Sequence, residues 1–291
     1  MRLKKVLNLH EVVTHKRLSD ACDRVGASVF AKVRLADVLP IERSGIDSDL
    51  YAFALRSHFD FLVTDSDHSP LFVVEFDGPS HDSPKQLRRD LLKNRLCDRF
   101  DLPMLRVNAR YLTKTYGTMD LLTWFVDVWF LARAFEEAQQ SGTIPWDEPF
   151  DHKFLMPGEC RGVTFPWWLA ADVEQKLRKL SEEGRCWDPG SSWIVGHDQD
   201  ENHRALGYIR ITRDSGVSCT TGMRRQRFPG PIDELLGDIV THELCQRVVS
   251  VLDGSEIGES IESIKAKMKQ FADRYDFCSV HSTSRGEPLR A

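Results

Sequence analysis

Two short apolar runs, at residues 59–63 and 71–76, form the clearest pattern in the chain, and each is interrupted by an acid. Both runs are rich in phenylalanine, leucine and valine, which is typical of buried β-strands. The polar stretch between them, residues 65–70, has the composition of a turn. The pattern therefore predicts an antiparallel hairpin.

A helix is predicted directly after the hairpin. Ser83 and Pro84 provide an N-cap and a first-turn proline. Leu87, Leu91 and Phe100 follow at helical spacing, so we expect them to lie on the side of the helix that covers the hairpin.

Residues 102–107 form a further apolar run, and a strand here should run parallel to an earlier one because a helix separates the two. The predicted order is β-β-α-β. A long helix is expected over residues 118–141, followed by a linker or wrapping loop over residues 145–157.

The second half of the chain is predicted to be a small α+β module. Helices are expected over 167–183, 231–252 and 259–275, strands over 192–196, 204–212 and 217–223, and a frayed end over 279–291.

Composition describes an ordinary globular protein and excludes some classes. The 291 residues carry a net charge of −5, so a nucleic acid would have to be bound through a local basic surface. The seven cysteines are scattered without a C-x-x-C pair, which favours reduced thiols and a cytoplasmic location. No signal peptide is expected at the start of the sequence. Charged residues interrupt the long apolar helix predicted over residues 118–141, so it is not expected to span a bilayer.

Three acids in the hairpin region suggest a metal site. Glu75 and Asp77 are two residues apart on one strand, which puts their Cα atoms about 6–7 Å apart on the same face. The hairpin should bring Asp60 beside Glu75. Buried carboxylates are costly unless they are paired or bind a cation, and an all-carboxylate set favours Mg²⁺ or Mn²⁺ over Zn²⁺.

The predicted helix adds candidate cations. Asp90, Lys93 and Asn94 fall at i, i+3 and i+4, while Arg88 and Arg89 contribute to a basic face that suits phosphates. The plainer interpretation is that Asp90 pairs with Lys93 or Asn94 within the helix.

Taken together, these motifs resemble the PD-(D/E)XK nuclease superfamily, and among its members the domains of unknown function that are similar to very-short-patch-repair endonucleases. The resemblance spans roughly residues 5–115. It rests on an acid in the first hairpin strand, an acid-x-Asp-Gly strand with a following histidine, an Asp-x-x-Lys helix and a Leu-Arg-Val strand: Asp60, Glu75-x-Asp77-Gly78, His81, Asp90-x-x-Lys93 and Arg106.

The resemblance implies an α/β fold with a restriction-endonuclease-like core, a mixed sheet flanked by helices, ahead of the C-terminal α+β module. It also implies that an acid on a preceding helix, Glu11, completes the site, and that residues 31–39 form a strand before the hairpin. Taken alone, Glu11 reads equally well as part of a solvated helix face.

The activity implied is that of a Mg²⁺- or Mn²⁺-dependent deoxyribonuclease. Asp60, Glu75 and Asp77 would hold the metal. Lys93 would stand in for the lysine of the superfamily's acid-x-Lys motif, since Asp77 occupies that position here. If Lys93 cannot point toward Glu75, the chain is instead an inactive nuclease-like module that binds DNA or protein.

Other residues keep more than one interpretation. His81 is a proton acceptor, an orienting residue or a plain loop histidine. Arg106 contacts either phosphate or a carboxylate, with a structural ion pair as the alternative. Arg88 and Arg89 are expected to contact the nucleic-acid backbone.

The predicted organisation is a nuclease-like domain over residues 1–117, a connecting helix over 118–144 and the α+β module over 145–291. The module would choose the substrate or bind a protein partner. DNA is the expected substrate, with RNA less favoured, and pairing of two copies to cut both strands is left open. Repair, mobile-element or defence processes are the settings that the resemblance suggests.

Overall fold

The predicted hairpin lies at the centre of a four-stranded sheet in the first of two units. The computed structural model describes residues 3–78, 83–155 and 165–285. The first unit comprises Met1–Thr115, Asp120–Phe150 and Gln226–Gly230. Its elements in chain order are α1 (Leu9–Asp23), β1 (Ser28–Arg34), α2 (Leu35–Val38), α3 (Ser48–Arg56), β2 (His58–Thr64), β3 (Pro70–Phe76), α4 (Pro84–Arg99), β4 (Met104–Val107), a 3-10 helix (Ala109–Leu112) and α5 (Leu121–Gln140).

The sheet has the order β1-β2-β3-β4. Strand β2 pairs antiparallel with both β1 and β3, and β4 pairs parallel with β3. The prediction of a hairpin, a helix and a parallel returning strand is therefore confirmed, and the fold is α/β with a mixed sheet. The run predicted as a strand over residues 31–39 is partly wrong, because β1 ends at Arg34 and α2 begins at once.

Both faces of this sheet are covered by apolar side chains. On one face Phe59 and Val73 belong to a buried cluster with Leu96 of α4. On the other face the ring of Phe72 lies 4.9 Å from that of Trp129 on α5. This second face explains the burial of two strands in which almost every side chain is apolar.

Helix α5 belongs to the first unit, so the prediction of a connecting helix over 118–144 is wrong. Its aromatic side covers the sheet. The segment Gln226–Gly230 also belongs to the first unit: the Met104 amide donates to the Arg227 carbonyl at 2.9 Å, and Phe228 is buried against Phe72. The boundary predicted at residue 145 therefore does not divide the two units.

Helix α4 begins with the predicted cap, since the Ser83 hydroxyl accepts from the Gln86 amide at 3.3 Å. The prediction of its covering side is wrong for two of the three residues. Leu87 and Leu91 are 51% and 58% exposed, whereas Asp90 and Lys93 are buried. Phe100 does pack against the buried cluster of Leu96. The polar stripe of the helix faces inward because carboxylates and a guanidinium of the sheet satisfy it there.

The second unit comprises Tyr116–Met119, Asp151–Arg225 and Pro231–Ala291. It contains α6 (Ala171–Glu182), β5 (Ser192–His197), β6 (His203–Arg210), β7 (Ser215–Met223), α7 (Ile232–Leu252), β8 (Glu259–Ser260), α8 (Ile261–Arg274) and β9 (Asp276–His281).

Its strands form a five-stranded antiparallel sheet in the order β8-β7-β6-β5-β9. Helix α8 covers Leu206 and Tyr208 with Ile264, Met268 and Phe271. The predicted α+β character is confirmed. The frayed end predicted over 279–291 is wrong for residues 279–281, which belong to the edge strand β9 paired with β5, and residues 286–291 lie outside the described residues. None of the described helices combines the length and the apolar character needed to cross a bilayer.

Candidate functional site

An open cleft of 890 Å³ in the first unit gathers most of the acids and cations that the sequence singled out. It lies where α1, the strands of the hairpin and α4 meet. Its lining residues are Asn8, Leu9, His10, Glu11, Lys32, His58, Asp60, Glu75, Phe76, Gly78, Gln86, Arg89 and Lys93.

The floor of the cleft is a buried ion pair. The Lys93 ammonium of α4 donates to Glu75 Oε2 of β3, and both side chains are almost fully buried. Burial raises the pKa of Glu75, and the ammonium of Lys93 opposes that shift. Lys93 therefore points toward Glu75, which is the geometry that the nuclease hypothesis requires.

Asp60 lies beside Glu75, as the hairpin predicts. The Asp60 amide donates to Glu75 Oε1 at 3.3 Å, and Asp60 Oδ2 accepts from the Phe76 amide at 2.9 Å. The two carboxylates therefore face the same side of the sheet. Each is held in place by backbone of the neighbouring strand.

Glu11 reaches the cleft from the first turn of α1. Its Oε2 accepts from the Asn8 amide at 2.8 Å, while the Asn8 side chain accepts from the Glu11 amide at 3.0 Å. This capping box fixes the start of the helix. Its other oxygen, Oε1, accepts from Lys32 Nζ at 2.7 Å. Glu11 is thus buried and turned inward, not part of a solvated face.

Lys32 is a site residue that the sequence reasoning missed. Its ammonium bridges Glu11 Oε1 and Asp60 Oδ1, at 2.7 and 2.6 Å. Partial burial lowers the pKa of Lys32, but the two carboxylates raise it by more, so the ammonium is charged at neutral pH. The neighbouring pairs Ala31–Phe61 and Val33–Phe59 place Lys32 opposite Asp60, and the sequence alone does not give this register.

Asp77 lies elsewhere than the prediction placed it. Arg106 Nη1 donates to Asp77 Oδ1 at 3.0 Å and lies 3.4 Å from Asp90 Oδ1, while Nη2 donates to Asn94 at 3.0 Å. Strand β3 ends at Phe76, so the alternation that aligns Glu75 with Asp77 does not continue. The buried guanidinium of Arg106 pairs with both Asp77 and Asp90 instead.

The same geometry corrects the expectation for Arg106. Its side chain is buried and takes part in the structural ion pair that was its alternative interpretation, so it is not placed to contact a phosphate backbone. The Gln226 side chain holds the Arg106 backbone on both sides, accepting from its amide at 2.9 Å and donating to its carbonyl at 3.1 Å.

The remaining predicted residues fall in three places. Arg89 is exposed and lines the cleft, as a phosphate contact would. Arg88 is 74% exposed and lies 3.7 Å from Asp49, outside the cleft lining. His81 lies outside the described residues. Two other histidines, His10 and His58, line the cleft and were not singled out by the sequence.

The donor set suits a hard cation, although with different members from those predicted. Glu11 and Asp60 already direct one oxygen each at the Lys32 ammonium, which stands where a small cation would sit, and Glu75 is adjacent. All the donors are carboxylate oxygens, the ligands that Mg²⁺ and Mn²⁺ prefer. The chemistry of these donors therefore fits a divalent ion between Glu11 and Asp60, with Glu75 adjacent, although the three carboxylates do not all lie within 4.8 Å of one another.

A second group of metal-ligand side chains lies in the second unit. Among the described residues, one set of three or more such side chains has its ligand atoms within 4.8 Å of one another: Asp151, His152 and Glu234. Neither the predicted set of Asp60, Glu75 and Asp77 nor the set of Glu11, Asp60 and Glu75 meets that distance. Lys153 pairs with Glu234 at 3.0 Å, so this group, like the cleft acids, already has a lysine partner.

A family model described as "Protein of unknown function (DUF2726)" matches residues 3–119. That range includes every residue that lines the cleft. No curated protein and no solved structure matches the chain.

Proposed function

We propose that the first unit is a metal-dependent nuclease that hydrolyses phosphodiester bonds in DNA. The observation that carries this proposal is the convergence of Glu11, Asp60 and Glu75, from three separate elements, with Lys93 in one open cleft. Asp60, Glu75 and Lys93 belong to the motifs that prompted the resemblance to the PD-(D/E)XK superfamily and its restriction-endonuclease-like core, and Glu11 is the acid that this resemblance implies. The family model covers the same part of the chain.

Each charged residue of the cleft has its own role in this proposal. Glu11, Asp60 and Glu75 would hold Mg²⁺ or Mn²⁺, which supplies Lewis acidity toward phosphate and water when it is bound. Lys93 is buried and fixed by Glu75, so it presents a preorganised positive charge where negative charge builds up on the phosphoryl group. Arg89 at the mouth of the cleft would bind the sugar–phosphate backbone.

An inactive nuclease-like module that binds DNA or protein is the second candidate. Asp77 stands at the position where the superfamily has lysine, and its carboxylate is held by Arg106 away from the cleft. Each cleft acid also has a lysine partner within the protein. A site neutralised in this way can persist without a metal.

The other assignments follow from the sequence. We place the protein in the cytoplasm, with the described cysteines as free thiols. The second unit would choose the nucleic acid or bind a protein partner. RNA and a homodimer that cuts both strands are alternatives for the substrate and the assembly.

The deciding experiment compares the full chain with two single variants on supercoiled plasmid and single-stranded DNA, with Mg²⁺ or Mn²⁺. Glu75→Gln removes a cleft charge and keeps an acceptor for Lys93, whereas Glu42→Gln changes an exposed acid outside the cleft lining. Cleavage by the wild type and Glu42→Gln, but not by Glu75→Gln, supports the nuclease.

Retention of DNA on a gel without cleavage by any of the three proteins favours the binding module. A parallel set of reactions with single-stranded RNA tests the alternative substrate. Addition of EDTA should abolish any cleavage that depends on the divalent ion.

A further inference from the structure

Lys32 has an unusual place among the cations of the cleft. One ammonium contacts two carboxylates from different elements, Glu11 of α1 and Asp60 of β2, at 2.7 and 2.6 Å. Two carboxylates close enough to share one ammonium repel each other unless a cation lies between them. In the protein as it stands, Lys32 is that cation.

The backbone at Lys32 is in a costly conformation. Its φ is +55°, in the left-handed region that residues with a side chain seldom adopt, although it lies inside β1. Strain of this kind tends to occur at functional sites and persists where the surroundings fix it. Here the ammonium of the same residue is fixed by its two carboxylates.

Lys93, the other lysine of the cleft, is different. It is buried with Glu75 on the cleft floor, and its side chain is 10% exposed. The Lys32 side chain is 30% exposed and opens onto the cleft, so it can leave its carboxylates without burying a charge elsewhere. Of the two lysines, Lys32 is therefore the one that can give up its place to another cation.

We propose that Lys32 is an internal competitor for the divalent cation: its ammonium occupies the position between Glu11 and Asp60, and an ion must displace it to bind. This inference rests on the proposed function, because it takes these carboxylates to be the metal ligands. Lys32 is thus a positioning residue that keeps the acids assembled and weakens metal binding.

Isothermal titration with Mn²⁺ in the absence of nucleic acid tests the competition. Every protein carries Glu234→Gln, which removes the acid–histidine group of the second unit from the measurement. Lys32→Met removes the ammonium, and Lys32→Gly removes it while also tolerating the positive φ, so at least one variant should fold. Arg89→Met is the matched control, because it removes a cation from the same cleft that does not bridge the acids.

Both Lys32 variants should bind Mn²⁺ about tenfold more tightly than the parent, and Arg89→Met should change the affinity by less than about threefold. Equal tightening by Lys32→Met and Arg89→Met would show a general charge effect and overturn the proposal. Unchanged or weaker binding by both Lys32 variants would overturn it as well.

A thermal melt gives a second readout. Without metal, Lys32→Met should melt at a lower temperature than the parent, because Glu11 and Asp60 lose their shared cation. Mn²⁺ should raise the melting temperature of Lys32→Met by more than it raises that of the parent. If no protein in the set binds Mn²⁺, the competition and the metal dependence fail together. If the Lys32 variants bind tightly but no protein cleaves DNA, the competition stands and the nuclease fails.

Discussion

Two buried carboxylates, one from each unit, are held in different ways. Glu75 of the first unit has an ammonium partner, Lys93, and faces the cleft. Asp238 of the second unit accepts backbone amide hydrogen bonds from Leu169, at 3.0 Å, and from Ala170. Burial raises the pKa of both carboxyl groups, that of Asp238 from 3.8 to about 7.

The difference separates a candidate site from a structural anchor. Asp238 holds the turn that leads into α6, and His242, one turn further along α7, donates from Nε2 to the Leu169 carbonyl at 2.6 Å. Glu75 fixes no turn; its partners are the Lys93 ammonium and the Asp60 backbone amide, beside an open cleft. A perturbed carboxyl group alone does not indicate chemistry, whereas one that shares a cleft with further acids and cations does.

The largest effect should come from breaking the ion pair in the cleft. Lys93→Met leaves Glu75 buried without its cation, so we expect the first unit to lose about 3–5 kcal/mol of unfolding free energy. Hydrogen–deuterium exchange of the amides in residues 59–76 reports this loss. The double variant Glu75→Gln/Lys93→Met should recover most of it; if the double variant is no more stable than the single, the pair is not what holds the floor.

For Asp238 the expected effect depends on pH. The folded carboxyl group keeps its proton up to about pH 7, whereas the unfolded one loses it near 3.8, so stability falls as pH rises between these values and is level above them. The loss is at most about 4 kcal/mol. Asp238→Asn keeps an acceptor and does not ionise, so its advantage over the wild type should grow from pH 4 to pH 7.

Exchange of the amides in α6 and α7 at a series of pH values measures this second effect. Asp253→Asn is a suitable control, because Asp253 is an exposed acid at the end of the same helix. If the stabilities of the wild type and Asp238→Asn change with pH in parallel, the Asp238 carboxyl group does not have a raised pKa and the contrast with Glu75 is wrong.

A smaller effect is expected at the edge of the cleft, where Glu11 both caps α1 and pairs with Lys32. Glu11→Ala should cost about 1 kcal/mol, the usual value of a capping interaction. Glu11→Gln keeps the capping box and loses only the charge, so it should cost less. Amide exchange in α1 distinguishes the two; an equal loss in both variants would mean that the ion pair outweighs the cap.

The smallest effect should come from the outer side of α4. Leu87→Gln and Leu91→Gln together should change stability by less than about 0.5 kcal/mol, because both side chains are exposed. Leu96→Ala on the buried side should cost about 2–5 kcal/mol. Thermal denaturation compares them, and a large loss in the first pair would mean that the polar side of α4 does not form the cleft floor.

The hairpin, the start of α4 and the pairing of Asp60 with Glu75 were predictable because they follow from local signals. Short apolar runs, turn composition and a Ser-Pro start each act within a few residues. The approach of Lys93 to Glu75 could be anticipated only as a requirement of the resemblance.

The orientation of α4 and the fate of Asp77 were not predictable in the same way. Leu87 and Leu91 look like core residues. The polar side of the helix faces inward instead, because Arg106 pairs there with Asp90 of α4 and with Asp77. The bridge made by Lys32 likewise depends on strand register and on an unusual backbone torsion angle. These are long-range effects that a local pattern does not contain.

The segment Gln226–Gly230 has a consequence for biosynthesis. Phe228 lies among the aromatic rings of Phe72 and Trp129, and Gln226 holds β4 through Arg106. During translation these contacts can form only after residue 230 has left the ribosome, long after the rest of that sheet has emerged. Part of the core of the first unit therefore stays uncovered in the nascent chain until most of the second unit has been synthesised.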